Sequence, residues 1–466
     1  MVHPKYRSTS GKTLMLAVAI GTCLRLFGQS AAPIEFISFQ AAQPALKAMS
    51  DALPPELKGP GPLDADRWSK WVEGQDRAIR QRLDRGTEDT LANLLRFGVT
   101  FTKEYRITDE YLARYGQSSL VNAFAENRAN DLIAALAKPN APEGIAEMRR
   151  FVEKKGFSLK TRPERAKLRK YLLENLARLR DEFLKYRAQT KDERRFQLFQ
   201  DRGISLDTNL WPDYALDLQL RNMVEKRLLK PGSVRRIAIV GPGLDFANKE
   251  AGNDFYPPQT IQPFAVLDSL FRLGVADPAT VELYTLDISQ EVNVHVERAK
   301  KKAMQGRSYT VQLPWNTERL MSDEYRASFI AYWQALGEQI GGPVPPIPVP
   351  AAAAATKTRA LKIRPEIVRK LTALDMNVVY QRLVPSSEQA FDLVIGTNIF
   401  VYYGEFEQLL ARANVAAMLK PGGYLLSNDK LADKAPFGLD EVLETPITSS
   451  VQPLVRDIMF CYQRGK

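Results

Sequence analysis

Histidine and cysteine are nearly absent from this chain, with two of each in 466 residues: His3, His295, Cys23 and Cys461. Structural or catalytic zinc needs several such side chains at short spacing, so no metal site is expected. Relays that pair a serine or cysteine nucleophile with histidine are excluded on the same ground. A long apolar run is also missing. Thr13 to Leu24 stops at Arg25, short of the ~20 residues that span a bilayer. Charge of one sign never forms a block, although the formal net charge is +11. Between Arg149 and Arg236 the basic residues are interrupted by Glu153, Glu164, Glu174, Asp181, Glu182, Asp192 and Glu193. Such interleaving reads as a solvated helical face rather than a nucleic-acid groove. No repeat of fixed period is visible, which argues against a solenoid.

What is present falls into four parts. Lys5, Arg7 and Lys12 precede the apolar run, and Gly28-Gln29-Ser30 places small residues at both critical cleavage positions. This is the order of a secretory signal peptide over 1–30. Its removal would leave an exported chain, periplasmic or extracellular, with no membrane span and only Cys461; an unprocessed chain would be cytoplasmic. Residues 31–64, with Leu53-Pro54-Pro55 and Gly59-Pro60-Gly61-Pro62, read as an extended lead-in with a short helix. Residues 65–232 read as an α-helical domain. Its clearest stripe is Leu168, Leu172, Leu176, Leu179, Phe183 and Tyr186, with Arg, Lys and Glu opposite.

The period changes at Arg236. Ile237-Ala238-Ile239-Val240 is a short continuous apolar run ending at Gly241, the pattern of a strand buried on both faces. A helix is expected from about Ile261 to Leu273, then a strand from Val281 to Asp287, which together open a parallel α/β sheet. Residues 300–360 interrupt it as an insertion with helical stretches and an extended proline run, Pro343 to Pro350, expected to cover the ligand edge of the sheet. The sheet resumes near Leu371 and continues through Phe391–Ile395 and Gly423–Ser427. Between these, Phe406, Leu409, Leu410, Ala413 and Ala417 share a helical face, and Gly422 stands where a C-cap is needed. Val455 to Tyr462 reads as a closing edge strand.

Gly241-Pro242-Gly243 after a buried strand lets a ligand approach the backbone where a Cβ would obstruct it. Asp287, ending the next strand, offers a carboxylate to both ribose hydroxyls of an adenosine ligand; the competing role is a helix N-cap. From Arg236 onward the chain resembles a class I S-adenosylmethionine (SAM) methyltransferase. Phe391-Asp-Leu-Val-Ile-Gly-Thr-Asn398-Ile-Phe-Val-Tyr402-Tyr403, followed by Lys420-Pro-Gly-Gly-Tyr424, is similar to the CheR-type protein-glutamate methyltransferases. The resemblance implies a Rossmann-like methyltransferase fold over 233–466, preceded by the all-α domain, with SAM as cofactor. It further implies that Gly241 and Gly243 lie against the methionine part of SAM. Asp287 would hold the ribose, Asp375 and Met376 the adenine side, Asn398 the methyl-donor edge, and Tyr402 would face the acceptor.

The sequence departs from the family in three ways. Ile239 and Val240 occupy the stretch where an acid usually precedes the first glycine, and a third glycine is missing. The loop to Ile261 is also long. Asp245 is the candidate replacement for the missing acid. Three functions follow: a methyltransferase on an unassigned acceptor, such as a carboxylate; a non-catalytic exported protein on a degenerate Rossmann-like scaffold; and an NAD-linked oxidoreductase. The last explains neither the Asn398 segment nor the terminal strand.

Overall fold

The computed structural model describes residues 32–188, 203–204, 208, 210–245, 254–316, 323–434, 436–448 and 456–465. The expected signal peptide at 1–30 lies outside them. In chain order the elements begin with β1 (Ile34–Phe36), α1 (Phe39–Ala48), α2 (Ala65–Phe97), α3 (Asp109–Arg114), α4 (Ser119–Leu136), α5 (Glu143–Lys154), α6 (Arg162–Arg187) and α7 (Leu210–Glu225). Then come β2 (Arg236–Val240), α8 (Gln262–Arg272), β3 (Glu282–Asp287), α9 (Gln290–Met304), β4 (Tyr309–Asn316), α10 (Asp323–Ala335), β5 (Gly341–Val344) and β6 (Thr356–Ile363). The chain finishes with α11 (Pro365–Val368), β7 (Leu371–Asp375), β8 (Gln381–Leu383), β9 (Phe391–Gly396), α12 (Glu405–Met418), β10 (Leu419–Ser427), β11 (Leu439–Thr448) and β12 (Arg456–Arg464).

The central sheet has seven strands in the order β11-β12-β10-β9-β2-β3-β7. The run β10-β9-β2-β3-β7 is parallel, while β12 is antiparallel to both β10 and β11. Strand β2 shows why the centre is apolar throughout. Ile237 and Ile239 enter the core on one face, and Ala238 and Val240 enter the core on the other. Helices α7, α8 and α9 cover the first face; α1, α12 and the first half of α2 cover the second.

Several expectations need correction. The terminal strand is not at the edge: β12 lies between β10 and β11, and β11 is the edge. Met459 and Phe460 point into opposite cores, so this strand needs layers on both sides. Gly422 does not cap a helix. Helix α12 ends at Met418 with Leu419 already extended, and Gly422, at φ +78, sits in the irregular start of β10. The insertion builds a three-stranded antiparallel sheet, β4-β6-β5, and Trp315 belongs to its strand β4 rather than to a helix. Trp315, Phe329 and Tyr332 pack with Trp211 and Tyr214 of α7, so much of the insertion's apolar surface is spent on that flank.

The all-α stretch at 65–232 does not pack as one body. Trp68, Trp71, Val72 and Ile79 in the first half of α2 join the sheet core, whereas Leu91, Leu94 and Leu95 in its second half join a helical core with α4, α5 and α6. That second core contains the stripe Leu168, Leu172, Leu176 and Leu179. Helix α7 belongs to the opposite face of the sheet. The lead-in is also tied down, since β1 pairs with β8 and the Trp68 indole donates to the Ile37 carbonyl at 2.8 Å. A single helix of 33 residues, about 50 Å long, therefore bridges two cores.

Candidate functional site

Open α/β sheets bind ligands outside the carboxyl ends of their strands, at the point where strand order reverses. Here the chain runs outward from β2 to β3 and β7, then returns to the other side of β2 as β9 and β10. A cavity of about 50 Å³ opens there. Its walls are Val240, Gly241 and Gly243 after β2; Leu286, Asp287 and Ile288 at the end of β3; and Met376, Asn377 and Val378 after β7. Ile399, Tyr402 and Tyr403 follow β9, and Leu83 and Ile204 close the remaining side. Among the described residues of the insertion none lines this cavity, and α2 reaches the ligand edge through Leu83.

The glycine turn has the geometry its sequence implies. Gly241 and Gly243 have φ of +61 and +67, a left-handed conformation that suits residues without a Cβ. A Cβ on Gly241 would sit 2.2 Å from Ile399 Cδ1. The Gly241 amide donates to the Leu286 carbonyl at 2.9 Å, which fixes the turn against the end of β3.

Asp287 is 6% exposed, and its Oδ1 accepts the Ser289 amide at 2.7 Å. Burial pushes its carboxyl up to about 7; the neighbouring Asp375 pushes the same way, while the Ser289 and Gly243 amides and Arg80 oppose it. Ser289, not Asp287, caps α9, with its side chain accepting the Val292 amide at 3.4 Å. Asp375 is the register partner of Asp287 on β7. Its Oδ1 accepts Arg80 Nη1 at 2.6 Å. Met376 is buried in the cavity wall, and its amide donates to the Asp287 carbonyl at 3.2 Å.

The other expected site residues divide. Tyr402 lines the cavity, and its carbonyl accepts Arg82 Nη1 at 3.2 Å. Asn398 is exposed, at φ +58, and its side chain and backbone pair with Asn428, both at 2.7 Å. It ties the ends of β9 and β10 together and does not line the cavity, because the left-handed backbone turns it outward. Asp245 is likewise not in the wall. Its Oδ2 accepts the Tyr256 hydroxyl at 2.7 Å and Gln259 Nε2 at 3.0 Å, so it pins the loop after β2 instead of replacing the missing acid. The same loop is anchored by Asp254, which accepts the Val99 and Thr100 amides at 2.9 and 3.1 Å.

Helix α2 supplies what the sequence reading left out. Arg80 holds the β3 and β7 side through Asp375 and the Ile288 carbonyl at 3.2 Å. Arg82 holds the Tyr402 side, and Leu83 lies between. Asp76 accepts Arg80 Nε at 2.9 Å and Asn377 Nδ2 at 2.9 Å. The readable signal was the pair Asp76 and Arg80, at i and i+4, set within the stripe Trp68, Val72, Ile79 and Leu83: an ion pair in an apolar stripe marks a polar contact made on burial. Among the described residues no cluster of three metal-ligating side chains forms, and no helix is long and apolar enough to cross a membrane.

Neither a family model nor a curated protein matches the chain. Among solved structures, it is similar to N-methyltransferase NodS from Bradyrhizobium japonicum WM9, at 12% identity over 55% of this chain and 99% of that one, with a TM-score of 0.25. A TehB-like SAM-dependent methyltransferase from Corynebacterium glutamicum gives 11% identity, 55% and 100% coverage, and a TM-score of 0.24. Magnesium protoporphyrin IX methyltransferase from Synechocystis PCC 6803 gives 11%, 61% and 90%, with a TM-score of 0.25. Values this low carry no argument about ligand or chemistry, so the functional reading rests on the geometry of the chain itself.

Proposed function

We propose that the chain is a SAM-dependent methyltransferase acting on an as yet unassigned acceptor. The observation that carries this reading is the enclosed carboxyl of Asp287, set beside a left-handed Gly241–Gly243 turn at the reversal of strand order. The chemistry of such a place suits a nucleoside. Ribose hydroxyls need a fixed acceptor; the base needs an apolar slot, for which Ile288, Met376 and Val378 are present; and a polar tail needs backbone unscreened by side chains. The antiparallel strand inserted between β10 and β11 agrees with the family that the sequence resembles.

In this reading Gly241 and Gly243 would carry the amino-acid end of SAM, and Asp287 the ribose. Met376 and Ile288 would flank the adenine. The cofactor would supply a methyl group already activated by its sulfonium. The chain's own part is to align the acceptor and exclude water. Ile399, Tyr402, Leu83 and Ile204 give that end an apolar wall, which strengthens polar contacts made inside it.

Calorimetric titration of the full chain with SAM and S-adenosylhomocysteine, with NAD as control, tests the reading. Micromolar binding of both adenosyl ligands, abolished in a folded Asp287→Ala variant, is the expected result. A folded wild-type protein that binds neither would sink the proposal and make the degenerate scaffold the leading reading.

A further inference from the structure

Asp287 and Asp375 are register partners on adjacent parallel strands at the ligand end of the sheet, with Asp287 buried in the cavity wall and Asp375 exposed on the adjoining groove. Two neighbouring carboxylates disfavour joint ionisation unless a cation sits between or beside them. Among the described residues, Arg80 is the one cation paired with either, through Nη1 to Asp375 Oδ1 at 2.6 Å. It is held there from behind. Asp76 takes its Nε at 2.9 Å and is itself fixed by Asn377 Nδ2 at 2.9 Å, while the Ile288 carbonyl takes a second contact at 3.2 Å. The guanidinium is thus clamped by partners on α2, after β3 and at the end of β7.

We propose that Arg80 is a positioning residue for the nucleoside subsite: it orients the Asp375 carboxylate through their ion pair and places beside Asp287 a positive charge that favours the ionised, hydrogen-bond-accepting form of that carboxyl. The inference rests on the SAM reading for the identity of the ligand, but not for the behaviour of the pair. It makes seating of α2, remote in sequence, a condition of tight binding. The burial that lifts Asp287 to about 7 places its ionisation within the range where binding is measured. An ionised carboxylate accepts stronger hydrogen bonds than a neutral carboxyl, so affinity should rise as pH rises through that value. Removing Arg80 takes away a charge that favours ionisation, so the rise should move to higher pH.

Other charged groups line the adjoining groove: Asp84 on α2, Glu291 and Arg298 on α9, and Glu147, Arg150 and Lys154 on α5. Asp84 is matched by Lys154 and Lys155, and Glu147 by Arg150. Burial pushes the groove's histidine, His295, down to about 4, so it stays neutral across the range tested. Arg298 is therefore the control, a cation nearby that bonds neither carboxylate.

The test measures S-adenosylhomocysteine affinity from pH 6 to 8.5 for the wild type, Arg80→Gln, Arg80→Lys and Arg298→Gln. Arg80→Gln should weaken binding about tenfold near pH 7, the lower end for loss of a charge-assisted contact, and move the midpoint upward. Arg80→Lys should restore the midpoint, and Arg298→Gln should leave it in place. A uniform loss at every pH, or an unchanged profile in Arg80→Gln, would overturn the proposal, the first result being that of a merely structural staple. Carboxyl carbon NMR titration of Asp287 in the ligand-free wild type and Arg80→Gln gives a second readout. If the wild type fails to bind, an upward shift of this titration still supports the role of Arg80, and an unmoved one refutes it.

Discussion

Replacing Gly241 with alanine puts the glycine turn to a quantitative test. The backbone at this position has φ +61, and an L-residue held there costs about 1–2 kcal/mol. The new Cβ would lie 2.2 Å from Ile399 Cδ1 and 3.2 Å from its Cγ1. The isoleucine tip can swing aside, at a rotamer cost of about 0.5–1.5 kcal/mol. Reduced freedom of the unfolded chain returns about 0.4–1 kcal/mol. The net destabilisation should then be about 0.5–3 kcal/mol, measured by equilibrium urea unfolding with the slope unchanged. Ile399→Ala in the same background should recover the steric part, so a double-mutant cycle should give a favourable coupling of about 0.5–1.5 kcal/mol. Strict additivity would refute the close approach of Ile399 to the turn. S-adenosylhomocysteine affinity should fall in Gly241→Ala by about tenfold or more, since both the displaced isoleucine and the methyl intrude on the cavity.

Three further outcomes follow from the packing. Asp213 is 2% exposed, and burial pushes it up to about 7 against the opposing pull of the Gln262 side chain. A carboxyl raised in the folded state takes up protons on folding between about pH 4 and 7, so its effect on stability worsens as pH rises through that window. Asp213→Asn should therefore gain stability over the wild type at pH 8, by at most about 4 kcal/mol, and the gain should vanish near pH 4; a difference independent of pH in thermal unfolding would contradict this. A Cβ on Gly86 would fall 1.7 Å from the Ile204 carbonyl oxygen, so Gly86→Ala should displace Ile204 from the cavity wall. Faster hydrogen exchange of the Ile204 amide, which donates to the Arg82 carbonyl at 3.2 Å, is the expected readout; unaltered exchange would count against it. A fragment of residues 233–466 should bind a hydrophobic dye strongly or aggregate, whereas a monodisperse, cooperatively folding fragment would show that α1 and α2 are dispensable to the sheet.

The parts of the fold legible in the sequence are those whose pattern is local. A buried parallel strand needs apolar residues toward both faces, and Ile237 to Val240 state this without ambiguity. Helix α8 and strand β3 fall within a residue of their expected ends. Glycines at a turn declare positive φ because few other residues accept it. What stayed hidden depends on partners distant in the chain. Asp245 looked like a ligand-facing acid because its hydrogen-bonding partners, Tyr256 and Gln259, lie across a loop of undeclared shape. Asn398 matched a family motif, yet its φ of +58 and its pairing with Asn428 aim it away from the cavity. The last strand read as an edge because sequence order and sheet order differ where β12 inserts beside β10. The ion pair of Asp76 and Arg80 within an apolar stripe marks a buried polar contact on α2, but Asp375 and Asn377, which complete it, lie 295 and 301 residues away in sequence.

Helix α2 changes how the two halves of the chain relate. Trp68 and Trp71 stack against Phe406 and Tyr380, at ring-centroid distances of 6.4 and 6.1 Å for the edge-on pairs Trp68–Phe406 and Trp71–Tyr380, and these aromatic contacts fix the register of α2 over α12. That register then determines that Arg80 meets Asp375, Arg82 meets the Tyr402 carbonyl and Leu83 fills the space between them. One turn of slip along the helix, about 5.4 Å, would break all three contacts together. Aromatic packing in the first turns of α2 thus sets which side chains of its later turns meet the cavity and its flank. The second half of the same helix is built into the core of α4, α5 and α6. Any ligand or partner that shifts that helical core would act on the site through α2, and the coupling would be carried by a rigid element with named contacts at both ends.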